Sequence, residues 1–303
     1  MYKIAFHPIY KHPLPEGHRF PMEKYELIPE QLLHEGTVSK DFFFDPHPYL
    51  DLAEEGIQMT HSSKFMEALK SGSLSKKAAR KIGFPYSPSL LKREEVITAG
   101  SIRGSLKAME DGVAFNIAGG THHAYRSHGE GFCIYNDIAC ASNYLLHNRK
   151  VKQILVVDLD VHQGNGTASL FEGQSNVFTF SMHGAKNYPA KKEKSDLDIA
   201  LPNGTTEDTY LPILREQLLK LINKVKPDFI FYQCGVDVLA NDQLGKLSLS
   251  MEGCRERDAI VLSTAHKHSI PVMAVMGGGY SKVLREIIDA HSNTYRLAYE
   301  IYV

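Results

Sequence analysis

Asp158, Asp160 and His162 alternate along one short run, Asp158-Leu159-Asp160-Val161-His162. If a strand continues through them, all three side chains project to one face, about 6.6 Å apart. Two of the three, joined by Asp237 from a distant segment, would give two carboxylates and one imidazole. Three protein ligands with an open fourth position are what a catalytic zinc ion requires. Acids at strand ends also cap helices or bind backbone amides, but His162 in register and the glycines after it, Gly164 and Gly166, favour a metal. Zn²⁺ on two carboxylates and a neutral imidazole carries no formal charge. It is then a weaker Lewis acid than on three histidines, and needs a nearby base and a hydrogen-bond donor. The adjacent His122-His123, after Gly119-Gly120-Thr121, suit acid–base work because imidazole titrates near neutral pH. The bland alternative is a pair of surface-loop histidines. Tyr280, after three glycines, can offer a phenolic donor to a developing oxyanion.

These residues all follow short apolar runs. Val113–Ile117, Ile154–Val157, Val177–Phe180, Phe229–Gln233 and Val272–Met276 are rich in β-branched and aromatic residues and bounded by turn formers, as buried parallel strands are. Helical patterns fall over Asn136–Asn148, Glu207–Lys224, Met251–His268 and Ser281–Ala298. The second of these opens on Thr205-Thr206-Glu207-Asp208, which resembles a capping box with Asp in place of Glu. This alternation predicts an α/β fold with a mostly parallel sheet. Ligand sites in such sheets gather outside the carboxyl ends of the strands, and here five strand ends deliver glycines with ionisable or phenolic groups. The charged stretch from Ala185 to Thr206 reads as a long surface loop, and one domain over residues 1–303 is expected.

Composition narrows the function. The 303 residues carry 34 Lys+Arg against 35 Asp+Glu, a net charge of −1, so no overall positive field draws the chain to nucleic acid or to an anionic membrane. The four cysteines, Cys133, Cys140, Cys234 and Cys254, form no C-x-x-C pair, which argues against a disulfide scaffold or a cysteine zinc site. The apolar run at the N-terminus is too short for a signal peptide and no stretch approaches the roughly 18 apolar residues of a spanning helix. A cytoplasmic enzyme is expected.

His122-His123-Ala124, Gly131-Phe132-Cys133-Ile134-Tyr135-Asn136-Asp137, Asp158 to Gly166, Gly235-Val236-Asp237-Val238-Leu239-Ala240-Asn241-Asp242 and Gly277-Gly278-Gly279-Tyr280 together resemble the zinc-dependent histone deacetylase family, in family order. Gln163, Asn165 and the short chain look most like its class IV branch and bacterial members. The resemblance implies the arginase/deacetylase fold, a central eight-stranded parallel β-sheet flanked by α-helices. It implies Asp160, His162 and Asp237 as metal ligands and Tyr280 as the polariser of the acyl carbonyl. It makes His123 the general base and then the acid, partnered by the neutral Asn165, and leaves His122, paired with Asp158, in an electrostatic role. Gly131 and Phe132 would line the acyl channel, with His183 and Leu244 near its mouth. Asp158 and Ser181, with main-chain oxygens of Asp160, His162 and Met182, match the family's inner monovalent-cation site, a structural K⁺. The implied activity is removal of acetyl or longer acyl groups from lysine side chains, with acetylpolyamines or small acetylated metabolites as the alternative substrates and Fe²⁺ as the alternative to Zn²⁺.

The sequence also departs from the family. No acid stands near Gly83-Phe84-Pro85-Tyr86-Ser87-Pro88, where many class I members place a rim aspartate that holds the substrate backbone. An arginase-like manganese ureohydrolase would need a carboxylate at Gly164. A non-catalytic acyl-lysine-binding protein is disfavoured because every catalytic position holds a competent residue.

Overall fold

The computed structural model describes residues 1–303. Eight strands, β1 (Lys3–Ala5), β2 (Phe43–Phe44), β3 (Val113–Asn116), β4 (Ile154–Asp158), β5 (Val177–Gly184), β6 (Leu197–Leu201), β7 (Phe229–Gln233) and β8 (Val272–Val275), form one sheet in the order β2-β1-β3-β8-β7-β4-β5-β6. Every pairing is parallel. Ten helices flank it: α1 (Lys24–His34), α2 (Leu50–Thr60), α3 (Ser63–Lys70), α4 (Lys76–Ile82), α5 (Pro88–Asp111), α6 (Asp137–His147), α7 (Asn165–Phe171), α8 (Glu207–Val225), α9 (Met251–Lys267) and α10 (Leu284–Tyr302). None is long and apolar enough to cross a membrane.

Helices on both faces explain the unbroken apolar strands. Phe229 and Phe231 of β7 enter one apolar layer with Ile154, Val156 and Met273, while Ile230 and Tyr232 enter the opposite layer with Leu155, Val157 and Val272. Successive side chains point to opposite faces, so a strand buried on both must be apolar at every position.

The sheet differs from the sequence reading at its edges. β6 lies inside the stretch expected to be a surface loop and pairs with β5 from Phe180↔Leu197 to Gly184↔Leu201. Its alternation of partly buried Leu197 and Ile199 with exposed Asp198 and Ala200 is that of a solvent-facing edge strand, and the neighbouring lysines obscured it. The capping box does not form. Thr206 caps α8 without a side-chain bond, Thr205 Oγ1 donates to the Pro202 carbonyl, and Glu207 accepts from Ser250. α10 starts at Leu284, three residues later than expected, because Ser281 Oγ accepts from the Val283 N–H in a turn ahead of the helix.

Two anchors hold the strand ends in place. Asp137, the first residue of α6, accepts from the Gly120 N–H (3.0 Å), the Thr121 N–H (2.8 Å), Thr121 Oγ1 (2.7 Å) and Ser101 Oγ (2.5 Å), pinning the loop that leads to His122. Arg257 of α9 is fully buried. It pairs with Asp258 and donates to the carbonyls of Leu159 (3.2 Å), Cys234 (3.3 Å) and Gly235 (2.5 Å). Asp137→Ala would strand the buried donors of Gly120 and Thr121. It should cost about 3 kcal/mol in urea unfolding, at about 1–3 kcal/mol per buried unpaired group; a loss below about 1 kcal/mol would show that the loop is held by other contacts.

Candidate active site

β3, β8, β7 and β4 are consecutive in the sheet, so the segments leaving their carboxyl ends emerge within three strand spacings of about 4.8 Å each. These segments carry His122 and His123, Tyr280, Asp237, and the Asp158–His162 run. The strand itself stops at Asp158. The even spacing of Asp158, Asp160 and His162 therefore does not act as one strand face: Asp158 turns to His122, while Asp160 and His162 turn toward Asp237.

One donor atom each from Asp160, His162 and Asp237 lies within 4.8 Å of the others, and all three residues are buried. His162 Nδ1 is 3.0 Å from both Asp160 Oδ1 and Asp237 Oδ2. The other carboxylate oxygens are tied to the backbone: the Gly278 N–H donates to Asp160 Oδ2 (2.8 Å) and the Val161 N–H to Asp237 Oδ1 (2.9 Å). Asp160 Oδ1 also accepts from the His162 N–H (3.0 Å), so both Asp160 oxygens are held, whereas Asp237 Oδ2 is buried with no well-directed hydrogen bond. Gly278 is needed there, since a Cβ would stand 2.1 Å from that oxygen. Burial together with the Asp160 charge pushes Asp237 up to about 7. At Asp160 burial is outweighed by His162 and His122, which hold it well below the usual carboxylate range. Against burial, the two carboxylates lift His162 to about 10. Three donors converge where positive charge is stabilised and one oxygen lacks a partner. A divalent cation fits this donor set.

The two adjacent imidazoles are driven apart in proton affinity. His122 Nδ1 lies 2.7 Å from Asp158 Oδ2, and although burial opposes its charge, that carboxylate raises its pKa. His123 has no acid on its ring. Its Nδ1 is 2.6 Å from Asn165 Oδ1, and burial, then the positive His122 and His162, hold it well below 6.5. Asn165 is oriented by its amide, which donates to Glu130 (2.7 Å) and the Tyr125 hydroxyl (3.0 Å), so its oxygen faces the imidazole. A pair whose environments separate their proton affinities in this way can divide acid and base roles.

Tyr280 is buried, its N–H held by Asp242 (2.6 Å) and its carbonyl by Gln243 (2.9 Å). Burial and the two metal-site carboxylates raise its phenol well above 10, so it keeps its proton and remains a donor. Its ring lies 6.4 Å from His162 and 6.2 Å from Phe132. Gly131 and Phe132 have φ of 57° and 67°, and their N–H groups donate to the carbonyls of Lys81 and Ile82. A Cβ at Gly131 would come within 2.7 Å of the His123 ring; glycine takes this φ freely, and the strained left-handed backbone of Phe132 turns its ring into the wall. An outer cavity of about 340 Å³ runs between Phe132, Tyr188 and Leu244 down to His123, His162 and Tyr280.

Leu244 lies on that cavity. His183 does not. It is 1% exposed within β5 and its Nδ1 bonds Ser181 Oγ (2.9 Å), because the strand runs on through it and turns the ring away from the channel. Tyr188 occupies the wall instead, its ring 5.0 Å from His123 and its hydroxyl on Glu130 (2.6 Å). Asp158 and Ser181 are register partners on β4 and β5, with Met182 buried beside them. Sequence reasoning missed Tyr188, Glu130 and Lys24. Glu130 was the most legible of these, as a lone acid directly before Gly131-Phe132. Lys24 is fully buried, its Nζ donating to the Gly277 carbonyl (3.1 Å) beside the Tyr280 ring, and burial lowers it to about 8.

The histone deacetylase domain family matches residues 18–295. An uncharacterised protein of Picosynechococcus sp. (strain ATCC 27264 / PCC 7002 / PR-6) is 41% identical over 302 residues, covering 99% of each chain. Histone deacetylase 2 of Arabidopsis thaliana is 28% identical over 92% of this chain and 74% of its own. Histone deacetylase 1 of Homo sapiens is 26% identical over 88% of this chain and 58% of its own. Among solved structures, an HDAC homolog complexed with SAHA superimposes with a TM-score of 0.81 at 24% identity, over 97% of this chain and 82% of that one.

Proposed function

Because this chain belongs to the histone deacetylase family, we propose that it is a metal-dependent deacylase that hydrolyses the amide of an acylated lysine or a related acylated amine. The observation that carries the reading is the buried Asp160–His162–Asp237 cluster beside His123, an imidazole kept neutral. The cluster would hold Zn²⁺, or Fe²⁺ as the alternative; such an ion supplies Lewis-acid polarisation of water and of the acyl carbonyl. His123 accepts the proton of the attacking water at Nε2, since Nδ1 faces the Asn165 oxygen. It then returns that proton to the departing amine. His122, whose protonated form Asp158 favours, adds positive charge next to the developing oxyanion. Tyr280 donates its phenolic proton in a hydrogen bond to the acyl oxygen. Phe132 and Tyr188 flank the stem, and Gly131 leaves room for His123. Asp158, Ser181 and Met182 are our proposed residues for an inner K⁺. The four cysteines are unpaired and buried, in keeping with a reducing, cytoplasmic setting.

The test is a panel of lysine peptides with acyl groups of increasing length, beside acetylpolyamines, with and without a chelator. Hydrolysis that stops on chelation and returns with Zn²⁺ or Fe²⁺ is expected; a rate indifferent to chelator would remove the metal from the reaction. Tyr280→Phe should lower kcat by about 10²–10³-fold, the scale of an oxyanion donor, with metal content unchanged. Near-normal turnover in that variant would take the phenol out of the mechanism.

A further inference from the structure

The mouth of the channel has a charge that the composition does not foretell. Arg19, Arg80, Lys81, Lys186 and Lys246 line the outer cavity, all exposed, and no acidic side chain lines it. Lys81 is neutralised by the buried Glu130. The other four have no ion-pair partner anywhere in the chain. Arg80 sits in the last turn of α4, where a cation also suits the helix dipole, but Arg19, Lys186 and Lys246 lie outside helices. The Arg19 guanidinium stands 5.3 Å over the Phe132 ring, on the channel wall itself. Lys246 Nζ donates to the Lys186 carbonyl (2.9 Å), which sets those two lysines side by side. In a chain of net charge −1 this is a local concentration of like charge around one opening.

Unpaired cations that crowd one rim repel one another unless an anion comes between them. From this rim we infer that the substrate is an acyl-lysine flanked by acidic residues, and that lysine-rich tails and acetylpolyamines are disfavoured. The inference rests on the deacylase reading and narrows it. Inside the rim the walls are the aromatic rings of Phe132 and Tyr188, so the acyl stem itself is not what the cations meet; they meet the groups on either side of it. Four cations from separate stretches of chain match several carboxylates better than one. Complementary charge of this kind acts mainly on encounter and partner choice, and like charges are rejected.

The experiment uses the metal-loaded full chain and three acetyl-lysine peptides that differ only in flanking residues: aspartate and glutamate, glutamine, or lysine. Turnover and peptide binding by fluorescence anisotropy are read at about 10 mM and about 1 M salt, where the screening length falls from about 30 Å to about 3 Å. The acidic peptide should exceed the basic one in kcat/KM by about 10²-fold at low salt, through KM, and the gap should close at high salt. Equal binding of the three, or preference for the basic peptide, overturns the inference. If no peptide is hydrolysed but the acidic one binds best, the deacylase reading fails and the rim assignment stands. In Lys186→Glu/Lys246→Glu the acidic-to-basic binding ratio should fall at least about tenfold. The ratio is taken within one sample, so partial unfolding cannot imitate that change, and an unchanged ratio overturns the assignment of the rim.

Discussion

Asp237→Asn should abolish turnover and metal binding together while leaving the protein folded. The substitution keeps the shape, and an amide oxygen can still accept from the Val161 N–H. It removes the charge at the one buried carboxylate oxygen without a directed partner. Outer-sphere partners of a metal are worth about 10–100-fold in affinity, so loss of a direct ligand's charge should exceed about 100-fold, and metal content after dialysis should fall accordingly. Thermal melting separates this from misfolding. Asp237 is pushed up to about 7 by burial and by Asp160, so the two acids repel in the metal-free protein. The metal-free variant should then melt no lower than the metal-free parent. A fully loaded Asp237→Asn protein would remove Asp237 from the ligand set.

His123→Ala should separate chemistry from metal binding: metal retained, kcat lowered by about 10²–10⁴-fold, the range of a positioned acid–base group. Its pH dependence has a definite sign. His123 is held well below 6.5 by burial and by the cationic His122 and His162, and a divalent ion in the place of the His162 proton acts in the same direction. The base form should therefore persist into acid, and the acid limb of kcat/KM in the parent should lie below pH 6.5. A limb above that value would mean that another group controls the base. The same depression has a stability counterpart. A histidine buried neutral binds its proton only on unfolding, so stability falls as pH drops below about 6.5, the unfolded value. His61 and His183, each lowered to about 4 by burial, contribute with the same sign over pH 6.5 to 4.

Strands β3, β4, β7 and β8 were legible because a parallel strand covered on both faces must be apolar throughout, and the residues at their ends were legible because ionisable and phenolic groups follow glycines there. β1 and β2 span three and two residues, too short to show a period. The side chain that narrows the channel was misjudged because His183 was placed by likeness to relatives, whereas β5 continues to Gly184 and buries it. Tyr188 lies past the strand end, free to turn inward. Asp160, His162 and Asp237 carried a signal in their spacing and chemistry. The rim cations carried none: Arg19, Arg80, Lys186 and Lys246 are ordinary surface residues until the backbone brings them to one opening.

Arg257 ties these levels together. One guanidinium grips the carbonyl just before Asp160 and two of the three that precede Asp237. Both acids proposed as ligands therefore hang from a single fastener on the helix between β7 and β8. When that helix peels away in denaturant, the ion should escape in the same step in which the tertiary signal vanishes, with no empty-handed native form and no loaded remnant along the way.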